Sequence, residues 1–534
     1  MVEAHEPEGD LHLARSTAAM TALTAVSRVT GFARIVVVAA VLGTTFLGNT
    51  YQSANTIPNV LFELLAAGAL QAVLIPTLVR LVDSETTEDA DHVAGAVLGL
   101  AGVVLAALSL LGILLSPLIM RGLVSGVSDP AVRDAQVRLG VLFLVFFLPQ
   151  TVFYAAGTVA TAALNAKGRF VVPVAAPIVN NVVVIGAYAA FRVLRHGAAP
   201  SLDLTLAQKL VLAGGTTAAV IAFCAVPVIA ARRVGFTLRP NLDRHHPAVR
   251  RLARQGAWAA IYLALTQVLL VVVLLLANRI EGGVVAYQVG FTLFLLPHAL
   301  FAVPALTALF PRLSRQTGVG DWDGFGESIT RGIDAIAFFG LASAAALFAL
   351  AHPVARLVLY GASAHSAGAV AGALRGFAVG IVGYGAFLFL TRAFYALHDA
   401  RTPAVANAVV VLAGSAAMVV AFAAAAHPTV GLLAAIHSAV YLVGGAALLA
   451  ALAIRHRVGL AALGRTVASH AVAAALTGAV MVAVNHTVTP SGRAGALVTV
   501  VLATLAGGLT LVAARLVLRP AGAHVLPELL APRG

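Results

Sequence analysis

The chain predicts an all-α polytopic membrane protein of about 14 transmembrane helices, arranged as two parallel six-helix lobes plus two C-terminal helices. Three observations carry that prediction. The 534 residues are 60% hydrophobic and only 10% charged, more apolar surface than a water-soluble domain of this length can bury. The apolar residues fall in runs of about 20 or more, each long enough to cross a bilayer. One short pattern recurs roughly 235 residues further along the chain.

Taken in order, the runs span approximately 18–42, 50–82, 92–117, 133–164, 170–193, 205–231, 250–277, 283–311, 328–351, 367–397, 403–426, 430–454, 466–486 and 494–517. The recurring pattern groups them. Pro76-Thr77-Leu78-Val79-Arg80 closes the second run and Pro311-Arg312-Leu313-Ser314-Arg315 closes the eighth, with Pro58 and Pro297 upstream. Ala163-Leu164-Asn165 closes the fourth and Ala396-Leu397-His398 the tenth, each ahead of a basic turn. Six helices per repeat is an even number, so the repeats are expected to be parallel, related by an axis along the membrane normal. The domains that follow are a tail at 1–17, an N-lobe at 18–231, a basic linker at 232–249, a C-lobe at 250–454, two further helices within 466–517 and a tail at 518–534.

Charge sets the expected orientation. The net charge is +13, but the basic residues sit in short loops between apolar runs, which is the positive-inside bias of a membrane protein and not a nucleic-acid surface. Arg232, Arg233, Arg239, Arg244, Arg250, Arg251 and Arg254 cluster at the linker and put it, and with an even helix count both termini, on the cytoplasmic side. The loop with Arg192, Arg195 and Lys209 runs against the trend. The acidic start (Glu3, Glu6, Glu8, Asp10) and the arginines in the first run do not read as a signal peptide. Cys224 is the only cysteine, so no intramolecular disulfide can form.

Residues 27–80 hold the candidate site. Arg28 lies near the middle of the first apolar run and Arg34 six residues on, about 9 Å further along a helix axis and ~120° around it. An arginine at the bilayer centre costs on the order of 2.5–3.5 kcal/mol on insertion scales, so these should face a polar cavity or a partner. Two readings stand: a cationic wall that receives a phosphate, or arginines paired with Glu63 or reaching to the interface. Glu63 reads as the only acid deep in an apolar run, and Pro58 is expected to break the helix beside it. Asn49, Asn55 and Asn59 line the same stretch, Asn59 equally suited to capping the broken helix.

Elsewhere, Asn180-Asn181 suits helix-to-helix bonding, and Gly372, Gly376 and Gly380 form a packing face. Arg392 is either a substrate contact or half of an Arg–Asp clasp with the residues around Asp399. Gln267, Gln288, Asn407 and His437 fit either role. Asp321-Trp322-Asp323-Gly324 lacks the further ligands of a calcium loop, His245-His246 lacks metal-spaced partners, and no phosphate-loop glycine motif is present to hydrolyse ATP.

Several of these motifs, in this order, resemble the MurJ/MviN family of lipid II flippases. They are Ser27-Arg28 with Gly31-Phe32-Ala33-Arg34; Asn55-Thr56-Ile57-Pro58-Asn59; Gly68-Ala69-Leu70 leading to Pro76; Leu164-Asn165-Ala166-Lys167-Gly168-Arg169-Phe170 with Pro173, Pro177 and Asn180-Asn181; Leu296-Pro297 leading to Pro311-Arg312; and Arg392-Ala393-Phe394-Tyr395-Ala396 with Asp399 to Pro403. The resemblance implies two lobes around a cationic cavity, a groove for the lipid reached by the last two helices, and transfer of lipid II to the outer leaflet of the bacterial plasma membrane by alternating access. It implies a transporter and not an enzyme, without a cofactor, driven by membrane potential or by a coupling cation whose identity the residues leave open. Its partners would be the undecaprenyl-pyrophosphate-linked saccharide, membrane lipids and the cell-wall synthesis machinery. Arg28 and Arg34 match the family's cavity arginines. Three positions depart from it: Asn49 where many members have aspartate, Phe62 where some have arginine, and Phe291-Thr292 where some have an Asp-Arg pair. These departures keep an exporter of another lipid-linked saccharide, or a MATE-like antiporter, as the alternative. An antiporter of small molecules would favour acids over arginines, and a membrane-embedded transferase would cluster acids or histidines at one face.

Overall fold

The computed structural model describes residues 7–63, 68–84, 87–456, 459–488 and 492–518. Every regular element among them is helical. The chain divides into two compact units, Met1–Gln267 and Val268–Gly534.

The first unit contains α1 (Pro7–Leu42), α2 (Phe46–Phe62), α3 (Gly68–Ser84), α4 (Thr87–Leu114), α5 (Ser116–Leu123), α6 (Pro130–Phe147), α7 (Gln150–Ala166), α8 (Val171–Leu194) and α9 (Leu206–Arg233). The division falls inside α10 (Pro247–Ala277). The helix ends follow from local chemistry. Gly43, at φ 71°, turns the chain out of α1, and Thr45 Oγ1 accepts from the Gly48 amide to start α2. Asp129 caps α6 ahead of Pro130, and Thr205 and Gln208 form a capping box on α9. One core packs α3, α4 and α7 around Leu78, Val93, Val97, Ala160 and Leu164, closed by Phe236 and Leu238 from the loop after α9.

The second unit contains α11 (Gly283–Pro297), a π-helical turn at His298–Ala302, α12 (Val303–Val319), α13 (Trp322–Ala349), α14 (Ala351–Val358), α15 (Ala367–Ala378), α16 (Ile381–Ala396), α17 (Arg401–Ala424), α18 (Val430–His456), α19 (Leu460–Thr487) and α20 (Gly492–Leu518). Its core gathers Leu313, Phe325, Ile329, Phe389, Phe394 and Leu448. Asp321 caps α13, its Oδ1 accepting from the Gly324 amide (2.9 Å).

The internal repeat is present down to single bonds. Arg80 Nε donates to the Pro76 carbonyl at 3.3 Å and Arg315 Nε to the Pro311 carbonyl at 3.4 Å. Tyr51 bonds Thr216 on α9 and sets its edge against Phe143, as Tyr287 bonds His437 on α18 and sets its edge against Phe377. The second sequence match is out of step. The turn after α7 places Gly168 at φ 68° with the Arg169 amide on the Leu164 carbonyl; the turn after α16 places His398 at φ 58° with the Asp399 amide on the Phe394 carbonyl. Gly168 therefore corresponds to His398, and the resemblance of Ala163-Leu164-Asn165 to Ala396-Leu397-His398 is displaced by about one helical turn.

Among the described residues, 11 helices are long and apolar enough to cross a membrane, or 12 when the bent pair Gly361–Ala378 and Ile381–Ala396 counts as one span. The expected count of about 14 is not confirmed among the described residues. The run at 50–82 is divided into α2 and α3, with residues 64–67 lying outside those described. Of the run at 250–277 the described apolar stretch is Leu263–Ala277. Two further expectations are corrected. α2 runs on through Pro58 to Phe62, and the helical pattern loosens only at Glu63, because a proline removes a single donor that neighbouring packing can tolerate. Glu63 is also not the only acid within an apolar run: Asp334 lies in α13 at 8% exposure.

Candidate functional site

The first unit gathers six of the seven candidate residues on α1 and on α2 with its final turn. α1 is held against α8 by Asn181, whose Nδ2 donates to the Ser27 carbonyl (3.4 Å) and to Thr30 Oγ1 (3.1 Å). A Cβ at Gly31 would stand 3.6 Å from Nδ2, an ordinary contact, so the approach does not depend on glycine. The face of α1 bearing Ser27 and Gly31 is thus a packing face, and Asn181 joins helices as its residue type suggested.

Arg28 is exposed and Arg34 half-buried. Neither side chain makes an ion pair or a hydrogen bond among the described residues, and neither does the side chain of Glu63, which is exposed beyond the end of α2. The pairing of Glu63 with an arginine is therefore not made. The two arginines remain uncompensated cations on a membrane-spanning helix (Ala19–Leu42).

Three tyrosines stand on neighbouring helices: Tyr51 of α2, Tyr154 of α7 and Tyr188 of α8. Tyr154 links this group to α2. Its hydroxyl donates to Asn59 Oδ1 at 3.4 Å, its ring lies over Phe62 at 4.5 Å, and Phe223 of α9 meets it edge-on at 6.2 Å. Asn59 is exposed and Asn55 half-buried. Asn49 is wholly buried in the packing of α2. Phe62, at a position where an arginine was a family expectation, fills its place with a ring on Tyr154. The tyrosines were not singled out by sequence, because a buried hydroxyl is indistinguishable from core until its bonding partners are known.

Tyr51, Tyr188 and Thr216 form a directed chain. Thr216 Oγ1 donates to the Leu212 carbonyl (2.7 Å), which uses its one hydrogen. Tyr51 must then donate to Thr216 (2.5 Å), and Tyr188 to Tyr51 (2.9 Å). Phe143 and Phe147 present their rings to Tyr51 at 5.5 and 5.7 Å, fixing it between α6, α8 and α9.

In the second unit Arg392 is exposed on α16. It does not form the expected clasp. Asp399 accepts from Arg455 of α18 at 2.9 Å and caps Thr402 through its amide (2.9 Å) and hydroxyl (2.6 Å). Arg392 makes no ion pair among the described residues. Phe291, where a charged pair was the family expectation, stands in an aromatic cluster with Tyr287, Phe294, Phe377 and His437. Gly376 and Gly380 pack on α18, where an added Cβ would meet the Gly431 carbonyl at 2.5 Å and Ser438 Oγ at 2.5 Å. Among the described residues no group of three His, Cys, Asp or Glu is placed to hold a metal ion.

The arrangement in the first unit suits an anion: exposed and half-exposed guanidinium groups without carboxylate partners, hydroxyl and amide groups on adjoining helices, and aromatic rings beside them.

The family described as Lipid II flippase MurJ matches residues 38–503. That match begins after Arg28 and Arg34, which rest on their own geometry. The probable lipid II flippase MurJ of Rhizobium tropici is 28% identical over 401 residues, covering 74% of this chain and 73% of that one. The lipid II flippase MurJ of Burkholderia cenocepacia is 28% identical over 403 residues, covering 74% and 75%. Among solved structures, a lipid II flippase MurJ in an inward closed conformation superposes with a TM-score of 0.72 at 18% identity over 94% of this chain and 98% of that one. An inward-facing MATE-family multidrug transporter superposes at 0.64 and 14% identity, covering 84% and 99%. At such identities the superpositions show a shared fold.

Proposed function

The chain belongs to the MurJ family of lipid II flippases, and we propose that Arg28 and Arg34 receive the pyrophosphate of lipid II as it is carried from the inner to the outer leaflet of the bacterial plasma membrane. The protein is a multi-pass membrane transporter and not an enzyme. The observation that supports the role of these residues is the absence of any ion pair to either arginine among the described residues, on a helix that spans the membrane. A pyrophosphate crossing hydrocarbon alone is prohibitively costly. Guanidinium groups replace its hydration with charge-assisted, bidentate bonds, while the prenyl chain stays in lipid.

Within this reading Asn55, Asn59 and the hydroxyl of Tyr154 take neutral saccharide or phosphate oxygens; Arg392 is a separate exposed cation of the second unit. Glu63, exposed and unpaired with either arginine, is placed to balance charge when the anion leaves. Asn49 acts through the packing of α2. The loop arginines from Arg232 to Arg254 support a cytoplasmic position for both termini. Access alternates between the two faces of the membrane, powered by membrane potential or a coupling cation.

The test is rescue of cells depleted of their own lipid II flippase. Wild-type chain should restore growth; Arg28→Ala and Arg34→Ala, at equal membrane abundance, should not. Growth sustained by the double variant would refute the arginine assignment. Failure of well-expressed wild type would favour a different lipid-linked saccharide as cargo.

A further inference from the structure

Three ionisable side chains meet inside the second unit. His470 of α19 is 3% exposed and its Nε2 lies 2.7 Å from Oδ1 of Asp334 on α13. Its other nitrogen, Nδ1, lies 3.2 Å from Nη1 of Arg515 on α20. The Phe338 ring covers both, with the Arg515 guanidinium 5.0 Å from its centroid and the imidazole 5.3 Å away. All three helices are membrane spans.

The donors fix the tautomer. A guanidinium has hydrogens to give and no lone pair to accept with, so Nδ1 must be the unprotonated nitrogen. The proton of a neutral ring is then on Nε2, where it is given to the Asp334 carboxylate. The cluster holds one anion, one neutral ring and one cation, and is neutral as a whole. Other charges on the packed elements lie outside it. On α13, Glu327 and Arg331 pair with each other about one turn before Asp334. On α19, Arg465 is exposed and Ser469 Oγ donates to the Thr466 carbonyl.

We propose that His470 is a proton-binding site at which a proton and Arg515 exchange for one another. Nδ1 has a single lone pair, and either an Arg515 N–H or a proton from water can use it. When a proton binds Nδ1 the Arg515 bond breaks, and the imidazolium keeps Asp334 through a charge-assisted Nε2–H bond. The buried cluster stays neutral only if the guanidinium leaves it. Arg515 lies within the last turn of described α20, close enough to that end for its long side chain to reach the interface. Proton uptake is thereby coupled to release of α20 from α13 and α19, and by linkage any state that draws Arg515 away binds the proton more tightly. The geometry of the site stands alone; its meaning as the coupling cation's site rests on the flippase reading.

The experiment is nitrogen-15 NMR of histidine-labelled protein in lipid nanodiscs across pH 4–9, with the His470 signal assigned by its loss in His470→Gln. In wild type at alkaline pH the ring should be the neutral tautomer protonated on Nε2. Replacing the competitor, in Arg515→Met, should let His470 take up its proton more readily. Asp334→Asn, which removes the carboxylate that favours the imidazolium, should do the reverse. A His470 that stays neutral in wild type but titrates in Arg515→Met supports the exchange equally. An unchanged midpoint in Arg515→Met, or a wild-type ring protonated on Nδ1 at alkaline pH, would overturn it. None of these readouts depends on lipid II transport, so failure of the transport reading and failure of this site are separable.

Discussion

Removing the Tyr51 hydroxyl should cost more than removing the Tyr188 hydroxyl, although the same bond is lost in both. The direction of the chain from Tyr188 to Tyr51 to Thr216 to the Leu212 carbonyl makes the difference. In Tyr51→Phe the Tyr188 donor, 3% exposed, is orphaned, and Thr216 loses its incoming bond. An unsatisfied buried polar group costs about 1–3 kcal/mol and a net hydrogen bond about 0.5–1.5 kcal/mol; interhelical bonds in membranes average ~0.6 kcal/mol, which favours the low end of both. Tyr51→Phe should therefore destabilise by about 2 kcal/mol. Tyr188→Phe leaves Tyr51 still donating to Thr216 and vacates only an acceptor, so it should cost about 0.5–1 kcal/mol. In the double variant no donor is orphaned, and its cost should fall below the sum of the two by about 1 kcal/mol. Reversible unfolding in mixed micelles, read by loss of tertiary fluorescence, measures all three. Equal costs, a larger cost for Tyr188→Phe, or additive behaviour would refute the directed chain.

Further predictions concern the second unit. Gly376→Ala should destabilise the α15–α18 contact by about 1–3 kcal/mol, because its Cβ would stand 2.5 Å from the Gly431 carbonyl; Gly368→Ala on the same helix, with nothing within 4 Å, should be neutral in the same unfolding measurement. Asp399 has its pKa held below the ordinary carboxylate value, first by the Thr402 hydroxyl, then by the Thr402 amide and Arg455. Its contribution is full above about pH 4, the unfolded carboxylate value, and is lost as pH falls through the lower folded value. Asp399→Asn, which keeps a capping oxygen but loses the exposed pair with Arg455, should thus be about 0.2–1 kcal/mol less stable than wild type at pH 7, with the gap narrowing as the pH is taken below 4; a gap constant across that range would contradict the assignment.

The features legible in the sequence are those that depend on periodicity and spacing. Apolar length located the spans, four-residue glycine spacing located the α15 face on α18, and a proline-to-arginine pattern located the repeat. What escaped depends on which side chains meet across helices. Asp399 chose Arg455 over Arg392 because the end of α18, not the end of α16, carries a cation to it. The Asp334–His470–Arg515 cluster joins three helices, and each residue alone reads as an ordinary polar interruption of an apolar run. Arg28 and Arg34 were visible for the opposite reason: a charge inside an apolar run is conspicuous without knowledge of any partner, and the structure gives them none among the described residues.

The most direct test of the central claim counts lipid II at the outer leaflet. In cells depleted of their own flippase and carrying this chain, a membrane-impermeant hydrolase that cleaves exposed lipid II should release product at a rate near that of undepleted cells. With Arg28→Ala and Arg34→Ala combined, at equal membrane abundance, release should fall at least tenfold, a loss of about 1.4 kcal/mol or more of stabilisation of the crossing pyrophosphate. Release at the wild-type rate from the double variant would contradict the account, since the anion would then be crossing without the two cations it is held to need.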